Sequence, residues 1–240
     1  ADAFRRRGAE ICLTARSAEK LNRVSQAGDL VIPADLLTPG APKTIVDAVV
    51  AKHGRIDILI NNAGAGLYQP AHTADGALAH QLFDLNLFAP LALTREAAAH
   101  MKTRRTGAIV NVSSIAGAVP LPWFTIYSAS KAALITLTDG LRMELRAWGI
   151  RCMTVLPGYV KTNFQQNIIG GDVPPALGGM RQRMAITPEQ CAEAIARGIE
   201  RDARTVVTPA SGWALIAGWR LFPALVEHQL RKFLPSQGAK

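Results

Sequence analysis

The stretch Ile56-Asp-Ile-Leu-Ile-Asn-Asn-Ala-Gly64 decides the fold. Ile56, Ile58, Leu59 and Ile60 make an apolar run too short for a helix, and it breaks off into two asparagines, an alanine and a glycine. A short apolar run bounded by turn residues reads as a strand buried on both faces, the kind that parallel sheets contain. Upstream, Thr44 to His53 reads as a helix closed by Gly54, a residue suited to the left-handed position after a helix end. Downstream, a long helix is expected from about Leu78 to Met101, then a strand over Ala108 to Val112.

The alternation continues to both ends. Ala1 to Arg7 reads as the tail of a helix ended by Gly8, followed by a strand at Glu10–Thr14, a helix at Ala18–Ala27 and a strand at Leu30–Ile32. Beyond Val112 come a helix at Tyr127–Trp148, a strand at Ile150–Leu156 stopped by Pro157-Gly158, and a glycine-containing loop over 163–187. A helix at Pro188–Glu200 and a strand at Val206–Val207 follow. Apolar strands alternating with helices every 20–30 residues or so predict an α/β fold, a doubly wound, Rossmann-like parallel sheet. Residues 1–208 are expected to form its single domain, with 163–187 as a substrate lid. Residues 209–240 are an apolar tail, interrupted by Pro223, expected to pack on the domain or a partner subunit, with a membrane surface as the lesser alternative.

The 240 residues are 49% hydrophobic and 19% charged, which suits a folded chain rather than a disordered one. Twenty-seven basic against 18 acidic side chains give a net charge of +9 and favour an anionic partner. No nucleic-acid motif or aromatic stacking platform accompanies that charge, so nucleic acid is set aside, leaving an anionic membrane surface or a phosphate-bearing cofactor. Cys12, Cys152 and Cys191 are far apart and in no ligand spacing. They predict neither a disulfide framework nor a metal site, and they suit a reducing, cytoplasmic setting. No basic-flanked apolar leader is visible, and no apolar run approaches the ~20 residues of a membrane span.

In a sheet of this kind, ligands bind beyond the carboxyl ends of the strands. The residues there are Ala15-Arg16-Ser17, Asp35-Leu36, Asn61-Asn62-Ala63-Gly64, Ser113-Ser114 and Pro157-Gly158-Tyr-Val160-Lys-Thr162. Tyr127 and Lys131, four apart on a helix, lie one above the other on the same face. A phenol titrates near ~10 and is a poor acid or base at neutral pH, but a nearby ammonium pulls that value down. Such a pair can exchange a proton with a substrate oxygen.

Taken together, NNAG at 61–64, Asn86, Ser114 placed 13 residues before Tyr127, YSASK at 127–131 and the Pro157-Gly158 pair resemble the motif set of the short-chain dehydrogenase/reductase family. The resemblance runs from Ala1 to about residue 208. It implies Tyr127 as general acid/base, Lys131 as the group that lowers its pKa and bonds the nicotinamide ribose, Ser114 as holder of the substrate oxygen, and Asn86 as anchor of a water joining Lys131 to solvent. Ser113 competes with Ser114, and a buried asparagine stabilising a helix irregularity is the alternative for Asn86. The resemblance further implies that Asn62, Ala63 and Gly64 wall the adenine side and that Asp35 and Leu36 meet the adenine ring. Pro157, Gly158, Val160 and Thr162 would contact the nicotinamide. The acidic residue that bonds the ribose in NAD-preferring proteins of this fold is replaced by Ala15, followed by Arg16 and Ser17. A guanidinium there suits a 2′-phosphate, so NADP(H) is expected rather than NAD(H).

The family's glycine-rich phosphate loop, with the first strand, is missing from the sequence; a trimmed polypeptide lacking that N-terminal segment is the expectation, and a naturally truncated, catalytically inactive relative the alternative. The apolar neighbours Leu67, Tyr68, Ile115, Ala116, Leu121, Pro122, Trp123, Phe124 and Phe164 suggest a hydrophobic aldehyde, ketone or alcohol as substrate. The family also implies a homodimer or homotetramer built through the long helices.

Overall fold

The computed structural model describes residues 1–171 and 185–231. Residues 172–184, the middle of the expected lid, and the end of the tail from Lys232 onward lie outside the described residues.

The chain alternates strand and helix as its pattern predicts: α1 (Asp2–Arg5), β1 (Cys12–Ala15), α2 (Ala18–Val24), β2 (Leu30–Pro33), α3 (Ala41–His53) and β3 (Ile58–Asn61). Then come α4 (Gly76–Phe83), a π-helical turn (Asp84–Phe88), α5 (Ala89–Arg104), β4 (Gly107–Val112), α6 (Thr125–Leu145) and β5 (Ile150–Pro157). The last elements are α7 (Pro188–Glu200), β6 (Thr205–Thr208), α8 (Gly212–Leu221) and α9 (Pro223–Arg231). All ladders are parallel. Among the described residues they form two pieces: β1 pairs with β2, and β3, β4, β5 and β6 run in that order.

Local chemistry sets the boundaries. Asp75 caps α4, its Oδ1 accepting from the Ala77 and Leu78 amides at 2.7 and 3.1 Å. Thr187 and Gln190 form a reciprocal capping box at the start of α7, with Pro188 in the first turn, where its missing N–H leaves nothing unpaired. The expected single helix from Leu78 to Met101 is in fact α4 and α5 joined by the π turn. Pro90 has no N–H, so the Asn86 carbonyl loses its α-helical donor, and the widened turn reroutes the ladder: the Ala89 amide bonds Asp84 O instead. The other differences are a few residues at element ends. The strand expected at Glu10–Thr14 begins at Cys12, and that expected at Ile56–Ile60 begins at Ile58, because Ile56 is spent in the core before pairing starts.

One core layer packs α3, α5 and α6 on the sheet through Val46, Met101, Leu141 and Ile109. On the opposite face, α7 contributes Cys191 and Ile195 against Val110 and Val155. The tail packs on this body: Ile216 of α8 is buried with Val119, Leu156 and Val207. Among the described residues no helix is long and apolar enough to cross a membrane.

Candidate active site

A cavity of about 2190 Å³ runs along the carboxyl ends of the strands and into the cleft between β1 and β3. Tyr127, Lys131 and Ser114 line it, as do Arg16, Ser17, Asp35, Leu36, Asn62, Ala63, Gly64, Pro157, Gly158, Val160 and Thr162. The topology explains the convergence, since all the parallel strands release their polar breaks at one edge. Asn86 is not at the cavity wall; it is fully buried within the π turn.

Tyr127 sits in the first turn of α6 and is buried. It hydrogen-bonds Ser114, whose Oγ also accepts from the Ala116 amide at 3.1 Å and so caps the 3-10 turn Ile115–Gly117. Burial pushes the Tyr127 phenol up to about 12, and the Ser114 hydrogen bond only partly offsets this. Lys131 lies one turn on, its Nζ 5.9 Å from the Tyr127 ring centre and donating to Val112 O at 3.0 Å. Desolvation brings the ammonium down to about 8. The expected lowering of the tyrosine by the lysine is therefore not what sets its titration: burial raises the phenol, and Ser114 rather than Lys131 draws it down.

Asn86 acts as a latch. Its Nδ2 donates to Ala65 O at 3.1 Å and Ser130 Oγ at 3.0 Å, and its Oδ1 accepts from the Ala65 amide at 3.0 Å. The side chain thus ties the strand-ending turn to α6 through the π turn. Gly64 is the meeting point: a Cβ there would stand 3.0 Å from Asn86 Oδ1 and 3.2 Å from Lys131 Nζ. Ser113 holds α6 from behind, donating to Lys131 O at 2.8 Å, so it is turned away from the role that Ser114 could play.

Two positioning residues went unread in the sequence. Gly117 presses on the backbone of α6, where a Cβ would come within 2.8 Å of the Lys131 carbonyl carbon. Asn111 links β4 to β3 and α6, accepting from Asn61 Nδ2 at 2.8 Å and donating to Thr138 Oγ1 at 2.9 Å. A polar residue inside the otherwise apolar run Ala108–Val112 was the available signal.

The remaining expected ligand contacts divide into fixed and free groups. Ser17 caps α2, accepting from the Lys20 amide, Asp35 Oδ1 accepts from the Leu37 amide, and Thr162 caps the 3-10 turn Asn163–Asn167. Arg16 is exposed at the end of β1. Of the expected pocket residues, Leu67 is core and does not reach the cavity, whereas Tyr68, Phe124 and Phe164 do. Among the described residues no group of three or more His, Cys, Asp or Glu side chains is placed to hold a metal.

The family model described as short chain dehydrogenase matches residues 1–171. A short-chain dehydrogenase of Penicillium ochrochloron is 36% identical over 171 residues, 70% of this chain and 62% of that protein. This chain likewise spans 62% of a second Penicillium relative, so both are substantially longer than the part matched. A short-chain dehydrogenase of Streptomyces avermitilis has a TM-score of 0.82 at 28% identity, covering 97% of this chain and 89% of that one. A Burkholderia cenocepacia short chain dehydrogenase in complex with NADP has a TM-score of 0.77 at 28% identity, over 95% and 90% of the two chains. An NAD+-bound xylitol dehydrogenase has a TM-score of 0.64 at 28% identity, over 68% and 65%. A parallel α/β sheet with a tyrosine, a lysine and a serine at its carboxyl edge defines a class of oxidoreductases, and the chain belongs to the short-chain dehydrogenase family.

Proposed function

We propose that this protein transfers a hydride between NADP(H) and a hydrophobic carbonyl or alcohol, with Tyr127 as general acid/base. The observation that carries the reading is the convergence of Ser114, Tyr127 and the buried Lys131 on the wall of one cavity. When bound, the nicotinamide would supply or accept the hydride. Tyr127 gives its proton to the carbonyl oxygen in reduction and takes it back in oxidation, while Ser114 holds the same oxygen. A phenol held near 12 stays protonated at neutral pH, which suits the reductive direction. Lys131, brought down to about 8, can exchange a proton close to neutrality and so resupply the site. Asn86 acts by fixing Ala65 and Ser130 around that lysine.

The residues present fit a dinucleotide at both ends. Gly64 offers bare backbone where a side chain would collide with Asn86 and Lys131, and Pro157, Gly158, Val160 and Thr162 border the opposite end. Asp35 and Leu36 line the adenine side with Asn62 and Ala63, and the exposed Arg16 guanidinium suits a 2′-phosphate. These residues account for the adenosine and nicotinamide ends. The inactive alternative gains no support from the site, where Ser114, Tyr127 and Lys131 are assembled. A cytoplasmic homodimer or homotetramer completes the reading, with Met143 and Trp148 exposed at and just beyond α6.

The test is turnover of apolar aldehydes and ketones with NADPH and with NADH. NADPH-dependent turnover is expected, with Tyr127→Phe losing it while retaining NADPH binding. Near-normal turnover by that variant overturns the mechanism.

A further inference from the structure

Phe124 stands three residues before Tyr127 and is buried at the start of α6. Its ring is intercalated: Tyr68 stacks on one face with centroids 4.2 Å apart, and Tyr127 on the other at 4.0 Å, the planes inclined by 18° and 20°. Phe164 meets Tyr127 edge-on at 5.8 Å and 62°. The residue that the proposed chemistry uses thus meets two aromatic rings, Phe124 and Phe164, and Phe124 fills a flat slot between it and Tyr68.

The backbone builds this stack. Trp123 takes φ +62°, a left-handed conformation that a bulky side chain adopts only where its surroundings impose it, and that turn delivers Phe124 inward. Gly66 leaves the room: a Cβ there would lie 3.2 Å from the Phe124 ring and 3.3 Å from that of Phe164. Residues 66–68 are laced to 167–170 by three main-chain bonds, Gly66 N to Asn167 O at 3.2 Å, Ile169 N to Gly66 O at 2.9 Å and Tyr68 N to Gly170 O at 2.9 Å. Tyr68 and Phe164 are therefore carried on backbone segments fastened to each other or adjoining that lacing. Phe124, on its own tight turn, fills the space between.

Resting on the reading of Tyr127 above, we propose that Phe124 sets substrate width, admitting carbonyls whose reacting carbon carries hydrogen or a small group and excluding those with two bulky substituents. Removing its ring opens a planar slot between Tyr68 and Tyr127 that takes an aryl group.

The experiment measures kcat/KM for benzaldehyde, acetophenone and benzophenone with the full chain and its Phe124→Ala and Phe124→Leu variants. The benzophenone-to-benzaldehyde ratio is expected to rise at least ~10-fold in Phe124→Ala and less in Phe124→Leu, in line with what pocket contacts discriminate. An unchanged ratio in either folded variant overturns the proposal. Phe124→Leu serves as the test if Phe124→Ala lacks a cooperative melt. If no protein turns over any of the three with either nicotinamide, the proposed function fails. The slot is then judged by benzophenone quenching of tryptophan fluorescence, where tighter binding by the variant than by the parent supports it and equal binding overturns it.

Discussion

Every residue of β4, from Gly107 to Val112, is buried between β3 and β5, whereas β1, among the described residues, pairs with β2 alone and its last two residues, Thr14 and Ala15, are exposed. The cavity spans both regions. On the β4 side, Ser114 leaves a strand held by two ladders, and α6 is fixed to that strand through Lys131, Ser113 and Asn111. On the β1 side, Arg16 leaves a two-stranded ribbon whose other edge faces the cleft. The groups proposed to handle a proton thus stand on the most deeply packed part of the molecule, where a geometry once set is kept. The group proposed to choose between cofactors stands on the least packed part, where an exposed guanidinium can adapt to its ligand.

The comparison breaks first at Tyr127. Replacing it by phenylalanine is expected to cut turnover by ~10²- to 10⁴-fold, the range for losing a general acid/base, with no loss of NADPH affinity in a fluorescence titration. Next comes stability. Ile109→Ala in β4 removes a fully buried side chain and is expected to cost about 2–5 kcal/mol. Leu13→Ala in β1, half-buried, should cost about 1 kcal/mol. Urea midpoints of the two variants check this, and equal losses would erase the distinction between the regions. Arg16→Ala should raise KM for NADPH ~10-fold and leave KM for NADH almost unchanged, the effect of losing a charge-assisted contact to one phosphate.

The smallest effect is a pH dependence. Lys131 titrates at about 8 in the folded chain, below the ordinary lysine value of 10.5. Between those values the folded state binds fewer protons than the unfolded one, so stability rises with pH through that window. Tyr127, raised from 10.0 to about 12, works the other way only above pH 10. Urea denaturation at pH 7.5 and 9.5, two settings chosen to bracket ~8, should show a rise in the parent chain that Lys131→Met lacks. A rise of equal size in the variant would place the lysine in water.

Much of the site was legible because it follows from chain order alone. An apolar run that stops in Asn61-Asn62-Ala63-Gly64 must release those residues at a strand end, and parallel strands release them at the same edge. Tyr127 and Lys131 share a face because a helix returns every three to four residues. Asn86 shows the limit: its position in the sequence gave two readings, and only its bonds to Ala65 and Ser130, 21 and 44 residues away, show it as a latch within a π turn. The same holds for Phe124, whose place among apolar residues says nothing of a ring inserted between Tyr68 and Tyr127.

The sequence by itself determined the order of strands and helices, the edge at which polar residues gather and the spacing of the tyrosine–lysine pair. Each of these depends on neighbours a few residues apart and on the period of the backbone. The tertiary structure alone decided that the tyrosine is raised and the lysine lowered, and that aromatic rings pack against the tyrosine. Those depend on how completely water is excluded and on which distant side chains meet, quantities that exist only once the chain has packed.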